Sequence, residues 1–282
     1  MKLRRLISDR LWVAFTFVAV AIAVVPLLSI LADVVYQGIS SMSLDFFTML
    51  PPPPCSAPSG CAPGGLGNAI QGTIILVALS SVIGIPIGIV SGIYVSEYGN
   101  NAYGSSVRFL GDVLAGIPSI VTGVLVYLLI VIPLRGYSAT AGGIALGSMM
   151  IPIVSNTSAE ALKTVPNSIR EASQALGIRK WRTSLLIVSH AKRSIATACL
   201  LAIARITGET APLILSAGIS QLWFSGLNNP LASLTFYIYY FATSPYANWK
   251  ALAWGAAFVL IVIVLGINMG VRLITRSKEY QS

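Results

Sequence analysis

The sequence has 282 residues, of which 55% are hydrophobic and 10% charged, with a mean hydropathy of +0.81. Soluble domains carry about 25% charged residues, so this balance excludes an ordinary soluble domain and points to a chain embedded in lipid. The net charge of +9 raises nucleic acid as a partner, but the basic residues gather beside apolar runs instead of alternating with aromatics. That distribution reads as positive-inside topology, and no nucleic-acid partner is expected.

In chain order, Lys2, Arg4, Arg5 and Arg10 precede a first apolar run, 11–31. It is longer than the apolar part of a secretory signal, about 7–15 residues, and lacks an evident small-residue cleavage site, so it reads as a retained span. Residues 32–68 read as an external loop, with the run Pro51-Pro52-Pro53-Pro54, the pair Gly64-Gly65, and no Lys or Arg. Cys55 and Cys61 sit close together there, on the oxidising side; a small disulfide and two free thiols are both open readings.

The second run, 69–94, places Gly84, Gly88 and Gly92 at four-residue spacing, a stripe that lets helices approach closely in lipid. Pro86 is expected to kink it. A third run, 113–133, is interrupted by Pro118, and Arg135 marks a short outer turn before a fourth, 139–158. The connection 159–193 holds seven basic residues and reads as cytoplasmic. A fifth run, 194–217, leads to an outer segment whose Trp223, Tyr237, Tyr239, Tyr240 and Trp249 suit a membrane interface. The sixth, 252–273, ends in the basic residues Arg272, Arg276 and Lys278. The expected fold is an all-α polytopic bundle of about six transmembrane helices in a single transmembrane domain, residues 1–282. It would sit in a prokaryotic inner membrane, with both termini cytoplasmic.

Two stretches carry chemistry. In 166–177, Ser168 and Glu171 have capping-box spacing, Pro166 stops any helix from upstream, and Gly177 can close a short helix. Ile169, Ala172 and Leu176 then fall on one face, and a second helix is expected from about Arg179 with Trp181 and Leu185 on its inner side. Spacing alone makes Glu171 a cap; a docking knob is the alternative. In the fifth run, Arg205 and Glu209 stand four apart, within reach across one helical turn, with Thr207 and Thr210 beside them. A charge near the bilayer centre costs about 2.5–3.5 kcal/mol on insertion scales, so such residues are paired or face a polar cavity. A buried ion pair that locks packing and a transport pathway are both open. Gly208 and Pro212 loosen the helix beside them.

These stretches resemble known ones. Glu171-Ala172-Ser173 with Gly177 resembles the EAA loop of ABC-importer permeases, which implies a coupling helix that docks on a cytoplasmic ATPase, with Glu171, Ala172 and Gly177 as coupling residues. Ser189-His190 stands where that family usually has Leu-Pro. Arg205 with Gly208-Glu209-Thr210-Ala211-Pro212-Leu213 is similar to the signature of phosphate-transport permeases of the PstA branch. Gly64-Gly65-Leu66-Gly67, Gly72-Thr73 and Gly116-Ile117-Pro118-Ser119-Ile120 carry the same resemblance. It implies half of a pore for inorganic phosphate, with Arg205 attracting the anion and Glu209 holding Arg205 neutralised. It also implies a PstC-like permease partner, a PstB-like ATPase that binds ATP and Mg, and a PstS-like phosphate-binding protein outside.

A permease for sulfate, molybdate or tungstate shares this architecture, and an ion-coupled secondary transporter is a further reading. No G-x-x-x-x-G-K-[ST] loop is present, so ATP hydrolysis would belong to the partner. His190 is the one histidine, and no Cys/His cluster has metal-ligand spacing, so no metal or other cofactor is expected in the chain. No covalent chemistry is expected of it either.

Overall fold

The structure is a computed structural model that describes residues 2–56 and 60–276, with side chains for 9–56 and 60–270. Lys278 and the side chains of Lys2, Arg4, Arg5, Arg272 and Arg276 lie outside the described residues, so the expected basic flanks are not placed. The described chain is helical, in order α1 (Lys2–Ser40), α2 (Leu44–Thr48), α3 (Gly67–Glu97), α4 (Ala102–Gly116), α5 (Ser119–Val126), a π-helical turn (Tyr127–Val131), α6 (Ile132–Leu134), α7 (Ala139–Lys163), α8 (Asn167–Ala175), α9 (Lys180–Thr207), α10 (Ala211–Ser216), α11 (Leu234–Ala242) and α12 (Ala247–Arg276). Five helices are long and apolar enough to cross a membrane: Asp9–Ser40, Gly67–Glu97, Ala139–Lys163, Lys180–Thr207 and Ala247–Gly270. A sixth crossing forms if the bent pair Ala102–Gly116 and Ser119–Leu134 counts as one.

The helix boundaries depart from the sequence expectation most in three places. The first helix continues to Ser40, so the loop expected at 32–68 is confined to 41–66 and contains the short α2. The third run does not cross straight: Pro118 removes a backbone donor and pushes Ile117 to extended geometry (ψ 127°), and the pair bends by 101°. The fifth run is displaced. Its helix starts at Lys180, stops at Thr207 and resumes as α10 after a break at 208–210.

α3 and α7 form the most extensive helix–helix interface, and small residues set its spacing. A Cβ added at Gly84 would lie 2.7 Å from the Met150 Cβ; at Gly88, 2.6 Å from the Val154 Cβ; at Gly92, 2.6 Å from the Ser155 carbonyl oxygen. Gly143 and Gly147 of α7 meet Leu79 and Ile83 of α3 in return. With lipid tails as apolar as the helices, such close packing is what holds spans together. The expected kink at Pro86 does not interrupt α3, which is one helix through that position.

At one end of the bundle, Phe46, Leu66, Tyr237, Phe241, Trp249 and Leu252 form a buried cluster. Tyr237 and Trp249, expected at a membrane interface, are core residues here; their rings stack on Phe241 at 4.7 and 4.8 Å. Trp223, Tyr239 and Tyr240 are exposed, as an interfacial role requires. The Tyr237 hydroxyl donates to the Ser220 carbonyl and accepts from the Asn68 amide at 3.1 Å. Asn68 also donates to the Ser220 carbonyl at 2.9 Å, so segment 218–233 is pinned to the start of α3. Burial pushes the Tyr237 phenol up to about 12, against a lowering by its hydrogen bond with Asn68.

Cys55 and Cys61 form a disulfide in this structure. Their loop is clamped to the start of α12: the Asn248 carboxamide accepts from the Cys55 N–H and donates to the Pro53 carbonyl, at 3.1 and 2.9 Å, and the Trp249 indole donates to the Pro52 carbonyl at 3.0 Å. α1 is the outlier of the bundle. Residues 9–33 are all exposed, and its main contact is with α12, around Val34 and Gly38.

Candidate functional site

The break after α9 is dictated by two residues. Gly208 disfavours the helical interior, and Pro212 lacks an N–H while its ring would strike the carbonyl four residues back, which is that of Gly208. The N–H groups of Gly208 and Glu209 therefore close onto the carbonyls of Arg205 and Ile206 at 3.2 and 3.1 Å. α10 then starts with Pro212 in its first turn. The Glu209 carbonyl is held by the Thr235 hydroxyl at 3.0 Å.

Of the two readings open for Arg205 and Glu209, the ion pair is not formed in this structure. Because the helix ends at Thr207, Glu209 leaves the face that carries Arg205; among the described residues the only ion pair is Arg170 with Glu97. Arg205 is exposed and Glu209 half-buried. Thr207 is buried, and its hydroxyl donates to the Ile203 carbonyl at 2.7 Å, inside its own helix. Thr210 is half-buried at the break.

A second break, at 117–118 between α4 and α5, belongs to the same assembly. α5 packs against α10 so closely that a Cβ on Gly123 would lie 2.8 Å from the Pro212 Cα. The 116–120 and 208–213 stretches thus flank a pair of touching half-helices. Interrupted helices at membrane depth expose backbone groups where they line a cavity or a subunit boundary, which is where transporters place their substrate sites. An exposed guanidinium beside such a break offers up to five donors to an oxyanion.

The second candidate region is α8. Pro166, with φ −55° and ψ 140°, takes the N-cap position itself, and no side chain caps the helix. Ser168 consequently falls inside the first turn, and the capping box expected of Ser168 and Glu171 is not made. The apolar face is also different: Ile169 and Ser173 turn inward, whereas Ser168, Glu171 and Ala172 are exposed and Leu176 is 78% exposed. Gly177 adopts φ +66°, and the Ile178 and Gly177 N–H groups bond to the carbonyls of Ser173 and Gln174, so the helix closes in the left-handed form glycine permits. In the first turns of α9, Thr183, Ser184 and Ile187 are buried, while Trp181 and Leu185, expected inside, are 50% and 59% exposed. α8 is therefore a short closed helix that presents Glu171, Ala172 and Leu176 outward, with none of the described residues covering them.

Sequence reasoning missed the ion pair that seats this helix, Arg170 with Glu97. It also missed Lys180, whose ammonium lies 4.6 Å over the Tyr98 ring. The available signal was a carboxylate, Glu97, standing alone at the end of a long apolar run.

Residues 84–279 match the family of binding-protein-dependent transport system inner membrane components. The chain is 44% identical to the phosphate transport system permease protein PstA of Yersinia pestis, over 90% of this chain and 85% of the relative. It is 38% identical to the Haemophilus influenzae protein of the same name, over 96% of this chain and 95% of the relative. Among solved structures, a chain of the MetNI methionine ABC transporter in an inward-facing conformation aligns with a TM-score of 0.61 at 17% identity, covering 74% of this chain and 97% of that one. A chain of an amino acid ABC transporter crystallised with histidines aligns at 0.53 and 18% identity, covering 73% and 92%.

Proposed function

The chain belongs to the binding-protein-dependent transport system inner membrane components, and within them to the PstA permeases, and from that premise we propose that it lines one half of an ATP-driven inorganic phosphate pathway. It is a multi-pass inner-membrane permease subunit of ABC-importer type. The observation that carries the pathway reading is Arg205: a cationic residue, exposed near the end of a membrane-length helix, with no carboxylate among the described residues in ion-pair range. Such a residue is stable in a membrane when it faces a polar cavity or a partner subunit. Phosphate passing between two permeases would meet its guanidinium. Glu209 and Thr210, at the break, form the rest of this half of the path, with Glu209 repelling the anion onward as the pore reshapes.

A PstC-like permease supplies the other half, and a PstS-like binding protein delivers phosphate from outside. α8 sits on the cytoplasmic side, as do both termini, and Glu171, Ala172 and Gly177 engage a PstB-like ATPase, which holds ATP and Mg. This chain does no covalent chemistry and holds no cofactor of its own.

The test is uptake by proteoliposomes containing both permeases, the ATPase and the binding protein. Phosphate uptake that needs ATP, resists competition by sulfate and molybdate, and is abolished by Arg205→Ala in assembled complexes is the expected outcome. Uptake driven by an ion gradient without the ATPase would refute the machine. ATP-driven uptake of another oxyanion would refute the cargo, and normal transport by Arg205→Ala would refute the role of the arginine.

A further inference from the structure

Arg170 plays no part in the pathway just described, yet it is the most heavily bonded side chain in the described structure. All five of its N–H donors are used. Nη2 donates to Glu97 Oε1 at 2.8 Å and to the Leu162 carbonyl at 3.0 Å. Nη1 donates to the Val165 carbonyl at 2.8 Å and to Asn167 Oδ1 at 3.2 Å, and Nε donates to Glu97 Oε2 at 3.4 Å. Its targets are Glu97, the last residue of α3; the Leu162 carbonyl in the last turn of α7; the Val165 carbonyl in the link that follows; and Asn167, the first residue of α8.

The electrostatics explain why an arginine stands there. The end of α7 leaves carbonyls without helical partners, and the end of α3 carries the negative pole of its own dipole. A carboxylate at that pole is unfavourable by itself, and Glu97 is only 7% exposed. Arg170 neutralises it and binds the Leu162 and Val165 carbonyls at once, with a planar fork that a lysine cannot reproduce. The next residue along, Tyr98, receives the Lys180 ammonium from the start of α9. Both flanks of α8 are thereby fastened to the same end of α3, and α3 is the principal packing partner of α7 through the glycine stripe. Around the knot, Leu162, Val165, Ile187 and Ala191 form a buried cluster with Ile169 and Ile93 against it.

We propose that the Arg170–Glu97 pair is the linkage through which displacement of α8 is passed to α3 and α7, making Arg170 and Glu97 positioning residues of the transport cycle. The proposal rests on the reading of α8 as the ATPase-contacting helix. An unlinked α8 would still dock and move, but its motion would be absorbed locally instead of turning α3 and α7 as one body.

The experiment measures phosphate transported per ATP hydrolysed in the full reconstituted complex, normalised to assembled protein, for wild type, Glu97→Gln and Arg170→Lys. Glu97→Gln keeps the shape and removes the charge, and should lower the ratio about tenfold, the scale of one charge-assisted hydrogen bond, while ATP hydrolysis continues. Arg170→Lys should fall between, since an ammonium reaches Glu97 but cannot hold both carbonyls as well. An unchanged ratio in assembled variants overturns the proposal. So does failure of both variants to assemble, because the pair then only cements the fold. Absence of ATP-driven uptake by the wild type is a separate result and refutes the importer reading instead.

Discussion

Replacing Gly88 with alanine tests the packing that unites α3 and α7. The added Cβ would lie 2.6 Å from the Val154 Cβ, 2.9 Å from its Cγ1 and 3.0 Å from the Ile151 carbonyl oxygen. Carbon pairs rest at about 3.5–4.0 Å, so the helices must separate by roughly 1 Å at this level. Two of the three obstacles, a Cβ and a backbone carbonyl, cannot swing aside, which puts the overpacking cost near the top of the usual range, about 3 kcal/mol. Alanine returns about 1 kcal/mol through its better helix propensity, leaving a net loss of about 2 kcal/mol. By the scaling for chains of this size, that is a fall of roughly 4–8 °C in the unfolding midpoint. The assay is thermal unfolding of the purified complex in detergent. Gly266→Ala is the internal control, because a Cβ there meets nothing within 4 Å. If Gly88→Ala melts together with Gly266→Ala, the stripe does not set the helix spacing and the reasoning fails.

Three further outcomes are expected. The Tyr237 phenol is raised from its ordinary value of about 10 to about 12, so the stability it contributes is complete below pH about 10 and drains away as the pH climbs through 12; Tyr237→Phe should cost about 1 kcal/mol at neutral pH and flatten this alkaline loss, and a variant as alkali-sensitive as wild type would contradict the assignment. In denatured, unreduced protein, maleimide should label Cys199 alone, and all three cysteines only after reduction; Cys55→Ser with Cys61→Ser should cost about 2 kcal/mol for so short a loop, read as a lower unfolding midpoint. Gly177→Ala meets no steric obstacle but must hold φ +66°, a penalty of about 1–2 kcal/mol; it should loosen the end of α8 and weaken ATPase stimulation by the binding protein, and unaltered stimulation would remove Gly177 from the coupling surface.

How much of this was legible in the sequence depended on the range of the interaction. The apolar runs and the glycines at 84, 88 and 92 announce spans and their packing, because lipid imposes length and close approach residue by residue. Gly177 likewise declared its left-handed turn. Helix ends were harder. Spacing made a pair of Arg205 and Glu209 and a capping box of Ser168 and Glu171, but Pro212 and Pro166 set the actual boundaries and moved one member of each pair out of place. The burial of Trp181 and Leu185 was misjudged for a related reason: a helical period tells which residues share a face, and not which face meets the bundle. Arg170 and Glu97 lie in different elements and Asn68 meets Tyr237 across most of the chain, so no local pattern could bring them together.

The way α1 joins the bundle has a consequence for synthesis. Its main foothold is on α12, where Gly38 sits against Trp254 and Phe258. During synthesis α1 must therefore wait for roughly 200 more residues, about 10–40 s at ordinary translation rates, before its docking surface exists. During that interval α1 lacks its main packing partner in this chain. A truncation that removes the end of the chain would be felt first at its beginning, as a loosened amino-terminal helix on an otherwise assembled core.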